Sequence, residues 1–467
     1  MLILPSPSTL VLYKNKVKHE VGFDDNVLEW MHNEAVRKEI HQDGWVGGIV
    51  IDEMAIQSDI QISKNGDVVE LCGFSNVGDE GNACTILRTG KNEKTLGTYA
   101  LQFVFLGLTG FRFPFAHFIT NGVQGAELYV LFWEAVDKLQ MFGFKVYYTS
   151  LDGAQSNRNF MKYNLDNNNT SFKTPCPCNF NDVVFIMDIS HVIKKIRNNI
   201  FSSGTEGKSK KQTRLLTLPS SYTIQWKMFV DCFNWDKNNC LQLHRKLTKE
   251  HIYLTCHSKM RNHLAEDILN SEMLNTMINY QLSLGSNGEI LNGVIEFLKQ
   301  TSKLIDIFKD MRPISHIEDS RIQELSEIGT WFKTWQDDIN ASSNLSQKEK
   351  ASSLMSYQCH EDIQSCITGF IELNKMVIES TKEIFVTPAL INSDVVENTF
   401  NQQRSTYNGA NTNPNALQYK RTLNSVILGQ NLVSRKANAG KGRDAAMPYN
   451  FSVKNYPNKR RKLTDES

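Results

Sequence analysis

Three carboxylates, Asp52, Asp152 and Glu397, occupy places in the sequence that suit the binding of divalent metal ions. The two aspartates follow apolar runs typical of strands, and Glu397 lies in NSDVVENTFNQQR, a pattern typical of a helix. Carboxylate oxygens are the ligands that Mg²⁺ and Mn²⁺ prefer. A pair of such ions activates the attacking hydroxyl and stabilises the leaving oxygen in phosphoryl transfer. The three residues therefore indicate metal-dependent chemistry on a phosphodiester.

Asp52 stands out because of the residues that precede it. The segment GWVGGIVIDEMA, residues 44–55, contains a short apolar run that suits a strand buried on both sides. An ionised carboxylate in such a place is costly unless a cation, a metal or strong donors meet it. Either the strand ends in a turn at Asp52, or Asp52 is a metal ligand at the end of a central strand.

The order of the elements predicts an α/β fold with a mixed sheet, since strand runs are joined by a helical crossover. Ligands of such sheets gather beyond the carboxyl ends of the strands, where Asp52, Asp152 and Asp188 would lie. The predicted strands cover residues 44–55, a hairpin over 58–75, 98–108, 145–150 and 183–187.

The second half of the chain is predicted to be mainly helical, from about residue 201 to residue 383. On the helix over 293–308, Asp306 lies off the apolar stripe, so it either faces solvent or faces a ligand. Asp394 and Glu397 are one helical turn apart and therefore share a face.

The composition is that of a globular protein of two or three domains, with 467 residues and a net charge of +1. No apolar run is long enough to span a membrane, so no membrane partner is expected. Nine scattered cysteines indicate a reducing compartment rather than a disulfide framework. Cys176 and Cys178 are a free pair more readily than a zinc site, because no second pair follows at ligand spacing.

Basic residues lie close to the acids in sequence. Lys194, Lys195 and Arg197 follow Asp188, and such charges would neutralise the phosphates of a DNA substrate. The bases over 208–214 suit either phosphate contact or a solvated loop. The four consecutive bases at 459–462 favour a nuclear localisation signal over a solubilising tail, which predicts a nuclear protein.

Seven segments, in order along the chain, resemble the P-element transposases and the related THAP-domain-containing transposase-derived proteins. Because the order is shared across nearly the whole chain, the resemblance is specific although no single motif decides it. The segments are LPSPSTL at 4–10, IDEM at 51–54, SLDGAQSNRNF at 150–160, MDISHVIKKIRN at 187–198, KLTKEHI at 246–252, SKMRNHLAEDIL at 258–269, and DVVENTF at 394–400 with STYNGANTNPN behind it.

The resemblance implies an RNase H-like, mixed-sheet catalytic domain interrupted by a large, mostly helical GTP-binding insertion domain. It also implies a GTP-dependent DNA transposase that cuts and joins transposon ends and target DNA with Mg²⁺ or Mn²⁺, as a homo-oligomer. The predicted parts are a helical lead-in (1–43), the first part of the catalytic domain (44–200), the insertion (201–383), the final part with the catalytic glutamate (384–430) and a basic, disordered tail (431–467).

By the same resemblance, Asp52, Asp152 and Glu397 form the catalytic triad, with Asp188 as a supporting acid. An aspartate at position 306 would accept hydrogen bonds from N1–H and N2–H of guanine. Ile305 and Lys309 replace the Phe and Asn of the family pattern, and Arg261 with Asn262 replaces Lys-Val. The implied GTP contacts are Lys246, Arg261, Asn262, Asp306, Lys309 and Asp394.

No Cys/His zinc module of the THAP type precedes residue 4, so we expect the part that recognises specific transposon ends in the family to be missing from this sequence. A truncated element, a separately encoded portion and a domesticated copy are the alternatives. Two functions of different classes stay open. One is an active transposase core, which the intact triad favours. The other is a truncated or domesticated, catalytically silent protein that binds DNA or protein partners, which the missing module favours.

Overall fold

The apolar runs that precede residue 190 form one seven-stranded sheet. The structure is a computed structural model that describes residues 6, 8–9, 17, 19–40, 45–65, 67–91, 94–166, 170–204, 214–380, 384–407 and 413–428. The strands are β1 Gly22–Phe23, β2 Val46–Ala55, β3 Gln61–Asn65, β4 Val68–Cys72, β5 Tyr99–Gly107, β6 Arg112–Thr120, β7 Lys145–Leu151, β8 Lys173–Pro175, β9 Asp182–Met187, β10 Leu216–Thr217 and β11 Thr223–Ile224.

Strand β2 lies at the centre of the sheet, whose order is β1-β6-β5-β2-β7-β9-β8. It pairs antiparallel with β5 on one side and parallel with β7 on the other, and β7 is parallel to β9. The three parallel strands therefore end at the same edge of the sheet. We call this edge of the sheet the acidic edge. Asp152 and Asp188 directly follow β7 and β9 there, and Asp52 lies just past the last pair of β2 with β7, although β2 itself continues to Ala55 along β5.

The pairing of β2 with β7 contains one irregularity. Val46 and Gly47 pair with Lys145 and Val146, but Gly48 pairs with Tyr148, so Tyr147 is bulged out of the ladder. A Cβ on Gly48 would lie 2.6 Å from the Tyr148 ring, which explains the glycine. Beyond this bulge the register is regular through the pair of Val50 with Ser150.

Helices cover both faces of the sheet. Those of the first 204 residues are α1 Asp25–Arg37, α2 Gly78–Thr89, α3 Gly125–Met141, α4 Gln155–Asn164 and α5 Ile189–Phe201. Those that follow are α6 Trp226–Asn238, α7 Lys249–Ile252, α8 Asn262–Leu269, α9 Ser271–Ser283, α10 Asn292–Phe308, α11 Ser320–Ala341, α12 Gln347–Ser353, α13 Tyr357–Ser380, α14 Asp394–Tyr407 and α15 Ala416–Leu428.

Alternate residues of β2 contribute to two separate apolar cores. Ile49 and Ile51 pack into a large core with α1 and α3, as the alternation of side chains along a strand requires. Val50 and Met54 pack into a smaller core with α14 and α15, which includes Val396. Because Asp52 is two residues from Val50 and from Met54, its side chain emerges on the face that α14 covers.

Helix α13 falls within the predicted insertion of residues 201–383, yet it packs directly on strand β9 of the sheet. Ser365 Oγ donates a 3.0 Å hydrogen bond to the Phe185 carbonyl oxygen. A Cβ on Gly369 would lie 2.9 Å from the same oxygen, so the glycine permits this close approach. Helices α6 to α11 form the helical region between α5 and α13, with a core around Phe297 of α10.

Most of the predicted elements are confirmed, including the hairpin of β3 and β4 and the strand at 98–108, which is β5. Strand β6 was not predicted because Pro114 interrupts its apolar run, and a register shift of β5 against β6 occurs at this point. Residues 251–269, whose pattern also predicts one continuous helix, instead form the end of α7, a short turn and α8, so this prediction is wrong. Thr255 and Ser258 form hydrogen bonds to each other's backbone N–H groups, which ends the helical pattern there.

Two predicted basic segments, 208–211 and 459–462, and the whole tail over 431–467 lie outside the described residues. Among the residues that the structure describes, no helix is both long enough and apolar enough to cross a membrane.

Candidate active site

Asp52 and Asp152 lie side by side at the acidic edge. Continuing the register of Val50 with Ser150 by two residues brings Asp52 level with Asp152, which directly follows the last residue of β7. Adjacent strands are about 4.8 Å apart. The two aspartates are therefore neighbours across the β2–β7 ladder, as their positions at strand ends predicted.

Each aspartate is held through one carboxylate oxygen. Asp52 Oδ1 accepts a hydrogen bond of 2.8 Å from the Glu53 N–H. Asp152 Oδ1 accepts from the Ala154 N–H at 2.8 Å and from Asn157 Nδ2 at 2.6 Å. Within the described part of the chain, neither second oxygen has a hydrogen-bond partner. Each carboxylate is thus oriented by the protein and keeps one oxygen available for a ligand.

Glu397 approaches the two aspartates from helix α14. It lies in the first turn of α14, beside Val395 and Val396, which pack against the face of β2 that also presents Asp52. Burial raises the pKa of Asp52 to about 7, and the charges of Asp152 and Glu397 both add to this rise. Burial also raises the pKa of Glu397. The three acids therefore share one partly buried electrostatic environment.

The three acids do not form a closed metal-binding cluster. No group of three His, Cys, Asp or Glu side chains at metal-binding spacing is found among the described residues. The donor set nevertheless fits a hard divalent cation, because it consists of carboxylate oxygens that are held in place and repel one another. Burial is the main cause of the raised pKa of Asp52, and repulsion from Asp152 and Glu397 adds to it; a bound cation would relieve that repulsion.

Asp188 connects the acidic edge to the helix of Glu397. It is buried at the N-cap of α5, where Oδ2 accepts from the His191 N–H at 3.0 Å. Its Oδ1 accepts from the Ser393 N–H at 2.8 Å, immediately before α14 begins. Burial alone would raise the pKa of Asp188, but the hydrogen bonds and the charge of His191 outweigh it and lower the pKa. Asp188 is thus a supporting acid that positions α14.

His191 was not predicted as a site residue, although it lies three residues after Asp188 in the sequence. Its Nδ1 is 2.9 Å from Asp188 Oδ2, which orients the imidazole. Burial opposes protonation of the ring, but the hydrogen bond to Asp188 and the charge of Asp188 outweigh it and raise the pKa. Its charge also acts on Asp52 and on Glu397.

Arg404 is a second site residue that was not predicted. It follows Glu397 by two helical turns on α14, so it lies on nearly the same side of the helix. Burial lowers the pKa of Arg404, and the charges of Asp52 and Glu397 oppose this. The signal available in the sequence was the spacing of Arg404, two helical turns after Glu397 on the same predicted helix.

The predicted DNA contacts at Lys194, Lys195 and Arg197 need correction, because α5 is packed within the protein. Arg197 is fully buried and donates to the carbonyl oxygens of Ser258 and Lys259, so it cannot reach DNA phosphates in this conformation. Lys194 is buried. Lys195 is partly exposed but is bound to Asp362, at 2.7 Å.

The predicted GTP contacts lie around helix α8, and several are already paired with protein carboxylates. Lys246 is 3.0 Å from Glu272, and Arg261 is 2.8 Å from Glu250. Lys309, at the end of α10, is 2.6 Å from Glu266. Each of these three basic residues thus already has a carboxylate partner within the protein.

The other predicted GTP contacts are Asn262, Asp306 and Asp394. Asp306 is exposed on α10, and partial burial raises its pKa, which the charge of Lys309 opposes. Asn262, at the start of α8, is buried, and its Oδ1 has no partner among the described residues. Asp394 is buried on α14. The Ala389 N–H, which precedes α14, bonds to the Asp310 carbonyl oxygen and links α14 to the end of α10.

Comparisons with known proteins agree with this architecture. Residues 19–164 match the family model of the TNP-like, RNase H N-terminal domain, and residues 190–320 match that of the TNP-like, GTP-binding insertion domain. Together the two matches cover more than half of the chain.

The chain belongs to the P-element transposase-like family. A solved structure described as the Drosophila P element transposase strand transfer complex has the same fold, with a TM-score of 0.70 at 18% identity. The match covers 92% of this chain and 86% of that chain. None of the curated proteins compared with the chain matches it. The predicted fold class, an RNase H-like domain with a GTP-binding insertion, is therefore confirmed.

Proposed function

We propose that the protein is a metal-dependent DNA transposase core that cleaves and joins phosphodiester bonds. The observation that carries the proposal is the approach of Asp52, Asp152 and Glu397 from three separate elements to one end of the sheet. The matched RNase H-like domain supports phosphodiester chemistry as the class of reaction, and the three acids are the residues that would bind the metal ions for it. DNA, in the form of transposon ends and target, is the proposed substrate.

Asp52, Asp152 and Glu397 would hold the divalent ions. When bound, Mg²⁺ or Mn²⁺ supplies the charge that activates the attacking hydroxyl and stabilises the leaving oxygen. The chain itself orients the ligands. Hydrogen bonds from the backbone at Glu53 and Ala154 hold the two aspartates, and Asp188 holds the start of α14 and thereby Glu397.

GTP is the proposed nucleotide of the insertion, in keeping with the matched GTP-binding domain. Helix α8 brings two of the proposed contacts into the same region. Asn262 lies at its start, and near its end the Asp267 carbonyl oxygen bonds to the ring of His244, two residues before Lys246. The unpartnered Oδ1 of Asn262 is a further polar group that a nucleotide would satisfy. A homo-oligomer and a nuclear location, the latter from the bases at 459–462, are parts of the same proposal.

A second function is a catalytically silent protein that binds DNA or protein partners. The observation that favours it is the absence of a closed metal-binding group in the described part of the chain. The two functions differ in one respect that can be measured, which is metal-dependent cleavage of DNA.

The test is nicking of supercoiled plasmid and strand transfer of labelled DNA with Mg²⁺ or Mn²⁺, in the presence of GTP, ATP or neither. We expect nicking by the wild type and a loss of more than about 100-fold in Glu397→Gln, since a ligand should matter more than its supporting residues. Glu289→Gln, an exposed glutamate of the helical region, is the matched control and should nick normally.

Nicking that survives Glu397→Gln would show a contaminating nuclease or a different active site. A wild type that binds DNA but never nicks it would establish the silent function instead. Equal activity with GTP, with ATP and without a nucleotide would show that DNA cleavage does not depend on GTP.

A further inference from the structure

A buried carboxylate outside the catalytic triad joins three helices beneath the acidic edge. Asp362 of α13 is only 1% exposed and lies between two cations. Lys195 Nζ of α5 is 2.7 Å from its Oδ2, and Arg158 Nη2 of α4 bonds to its Oδ1. Both oxygens of Asp362 are therefore occupied by charged donors, which is how a buried carboxylate is stabilised.

The Lys195 ammonium also contacts the turn that carries Asp152. It donates a hydrogen bond of 3.3 Å to the carbonyl oxygen of Gly153, the next residue along the chain. A Cβ on Gly153 would lie 1.6 Å from Lys195 Nζ, so the glycine leaves the space that the ammonium occupies. Lys195 thus fills the position directly behind the Asp152 turn.

Arg158 secures the other side of the same turn. It lies in the first turns of α4, which begins three residues after Asp152 and includes Asn157, a hydrogen-bond donor to Asp152. Arg158 binds Asp362 and also Glu361, at 3.1 Å. The backbone on both sides of Asp152 is consequently anchored to one end of α13.

We infer that Asp362 and Lys195 are positioning residues that fix the Asp152 carboxylate for metal binding. The inference rests on the proposed metal site, and it assigns Lys195 a role different from the phosphate contact predicted from sequence. Lys195 acts through the backbone at Gly153 and not on the substrate. Because α13 follows the GTP-binding region in the chain, any movement of α13 would be transmitted to Asp152 through Asp362.

Lys195→Met is the informative variant, because Asp362 keeps its ion pair with Arg158 and no buried charge is left alone. Lys195→Arg tests for rescue by a second cation. Lys375→Met removes a lysine of α13 that is also ion-paired, to Glu372 at 2.7 Å, and serves as the matched control. The full chain is used throughout.

The first measurement is Mn²⁺ binding by calorimetry without DNA, with Asp152→Asn identifying the heat that belongs to the acidic edge. We expect Lys195→Met to weaken this binding by about 10- to 100-fold, as removal of a supporting partner of a metal ligand does. Lys195→Arg should retain most of the affinity, and Lys375→Met should retain all of it. DNA affinity and its salt dependence should be unchanged in all three variants.

Two results would overturn the inference. One is unchanged Mn²⁺ affinity in Lys195→Met. The other is weaker DNA binding, with a slope of log affinity against log salt smaller by about one, which would make Lys195 a phosphate contact. If Lys195→Met does not fold, Gly153→Ala replaces it, since the added Cβ displaces the ammonium and should weaken Mn²⁺ binding in the same way.

The outcome for the proposed function is separate. If the wild type binds Mn²⁺ through Asp152 but does not nick DNA, the proposed activity is contradicted and the positioning role is retained. If Asp152→Asn does not change Mn²⁺ binding, the metal site is contradicted and this inference with it.

Discussion

The acidic edge and the region around α8 handle charge in opposite ways. At the acidic edge, Asp52, Asp152 and Glu397 are brought together, and the charges of Asp152 and Glu397 add to the rise that burial causes in the pKa of Asp52. Around α8, the bases expected to meet a nucleotide already have partners, such as Glu272 for Lys246 and Glu266 for Lys309. One region has unneutralised negative charge, and the other has positive charge that the protein itself neutralises.

This difference determines what each ligand has to do. A metal ion at the acidic edge gains the full relief of repulsion between carboxylates, so its binding should be strongly coupled to pH and to folding. A nucleotide near α8 has to displace glutamates from exposed lysines. Exposed ion pairs contribute only about 0–1 kcal/mol, so this displacement is a small cost.

Among the residues that are not proposed metal ligands, the largest effect should come from Asp188→Asn, which changes a single buried group that supports the acidic edge. An amide cannot accept hydrogen bonds with both ends, so either the Ser393 N–H or a His191 donor loses its partner. We expect nicking to fall about 10- to 100-fold and the free energy of unfolding to fall by about 1–3 kcal/mol. Nicking assays and thermal denaturation measure the two effects.

Asp182→Asn, at the partly exposed start of the strand that precedes Asp188, is the control for Asp188→Asn and should change neither quantity appreciably. Equal effects of the two substitutions would mean that Asp188 has no special connection to Glu397.

A smaller effect, on stability and dependent on pH, is expected for Asp52→Asn in the absence of metal. The pKa of Asp52 is about 7 in the folded protein, above its ordinary value of about 3.9. Asp52 therefore stays protonated to a higher pH in the folded state than in the unfolded state. Wild-type stability consequently falls as pH rises from about 4 to about 7. Asp52→Asn removes this loss and should melt about 3–5 °C above the metal-free wild type at pH 8.

At pH 4 the two proteins should melt at nearly the same temperature. Addition of Mn²⁺ at pH 8 should raise the melting temperature of the wild type and leave the variant unchanged. A difference in melting temperature that is the same at every pH would show that Asp52 does not titrate in this range.

The smallest effect belongs to the nucleotide region. Asp306→Asn removes the acceptor that we propose for the two N–H groups of guanine, and should weaken GTP binding about tenfold, with ATP binding unchanged. Asp337→Asn, another exposed acid on a neighbouring helix, is the control. Equal loss for GTP and ATP, measured by displacement of a fluorescent nucleotide, would remove Asp306 as the source of selectivity.

Much of the acidic edge was predictable, because period-2 and apolar runs located β2, β7 and β9 and each was followed by an aspartate. The approach of Glu397 was not predictable from spacing, since Glu397 follows Asp52 by 345 residues and lies on a helix that packs across the sheet. The resemblance to the family supplied that residue instead. His191 and Arg404 were missed because their importance arises only from the acids that surround them.

The basic residues of α5 show the opposite failure. Lys194, Lys195 and Arg197 are charged, and charge in sequence suggests exposure. In the structure α5 is packed between the sheet and the helical region, so Arg197 satisfies backbone carbonyl oxygens and Lys195 meets Asp362. Sequence shows how many charges a segment has, but the partners of those charges come from elements that are distant in the chain.

The bulge at Tyr147 has a consequence for how this chain tolerates length changes. Side chains along a strand alternate between odd and even positions, and the one extra residue in β7 sets which positions stand level with those of β2. If the same residues paired without the bulge, Leu151 would lie level with Asp52 and Asp152 would lie one step further along. Deletion of Tyr147 would therefore leave the two acids level, whereas a single-residue insertion or deletion between the bulge and either aspartate would break their matched parity.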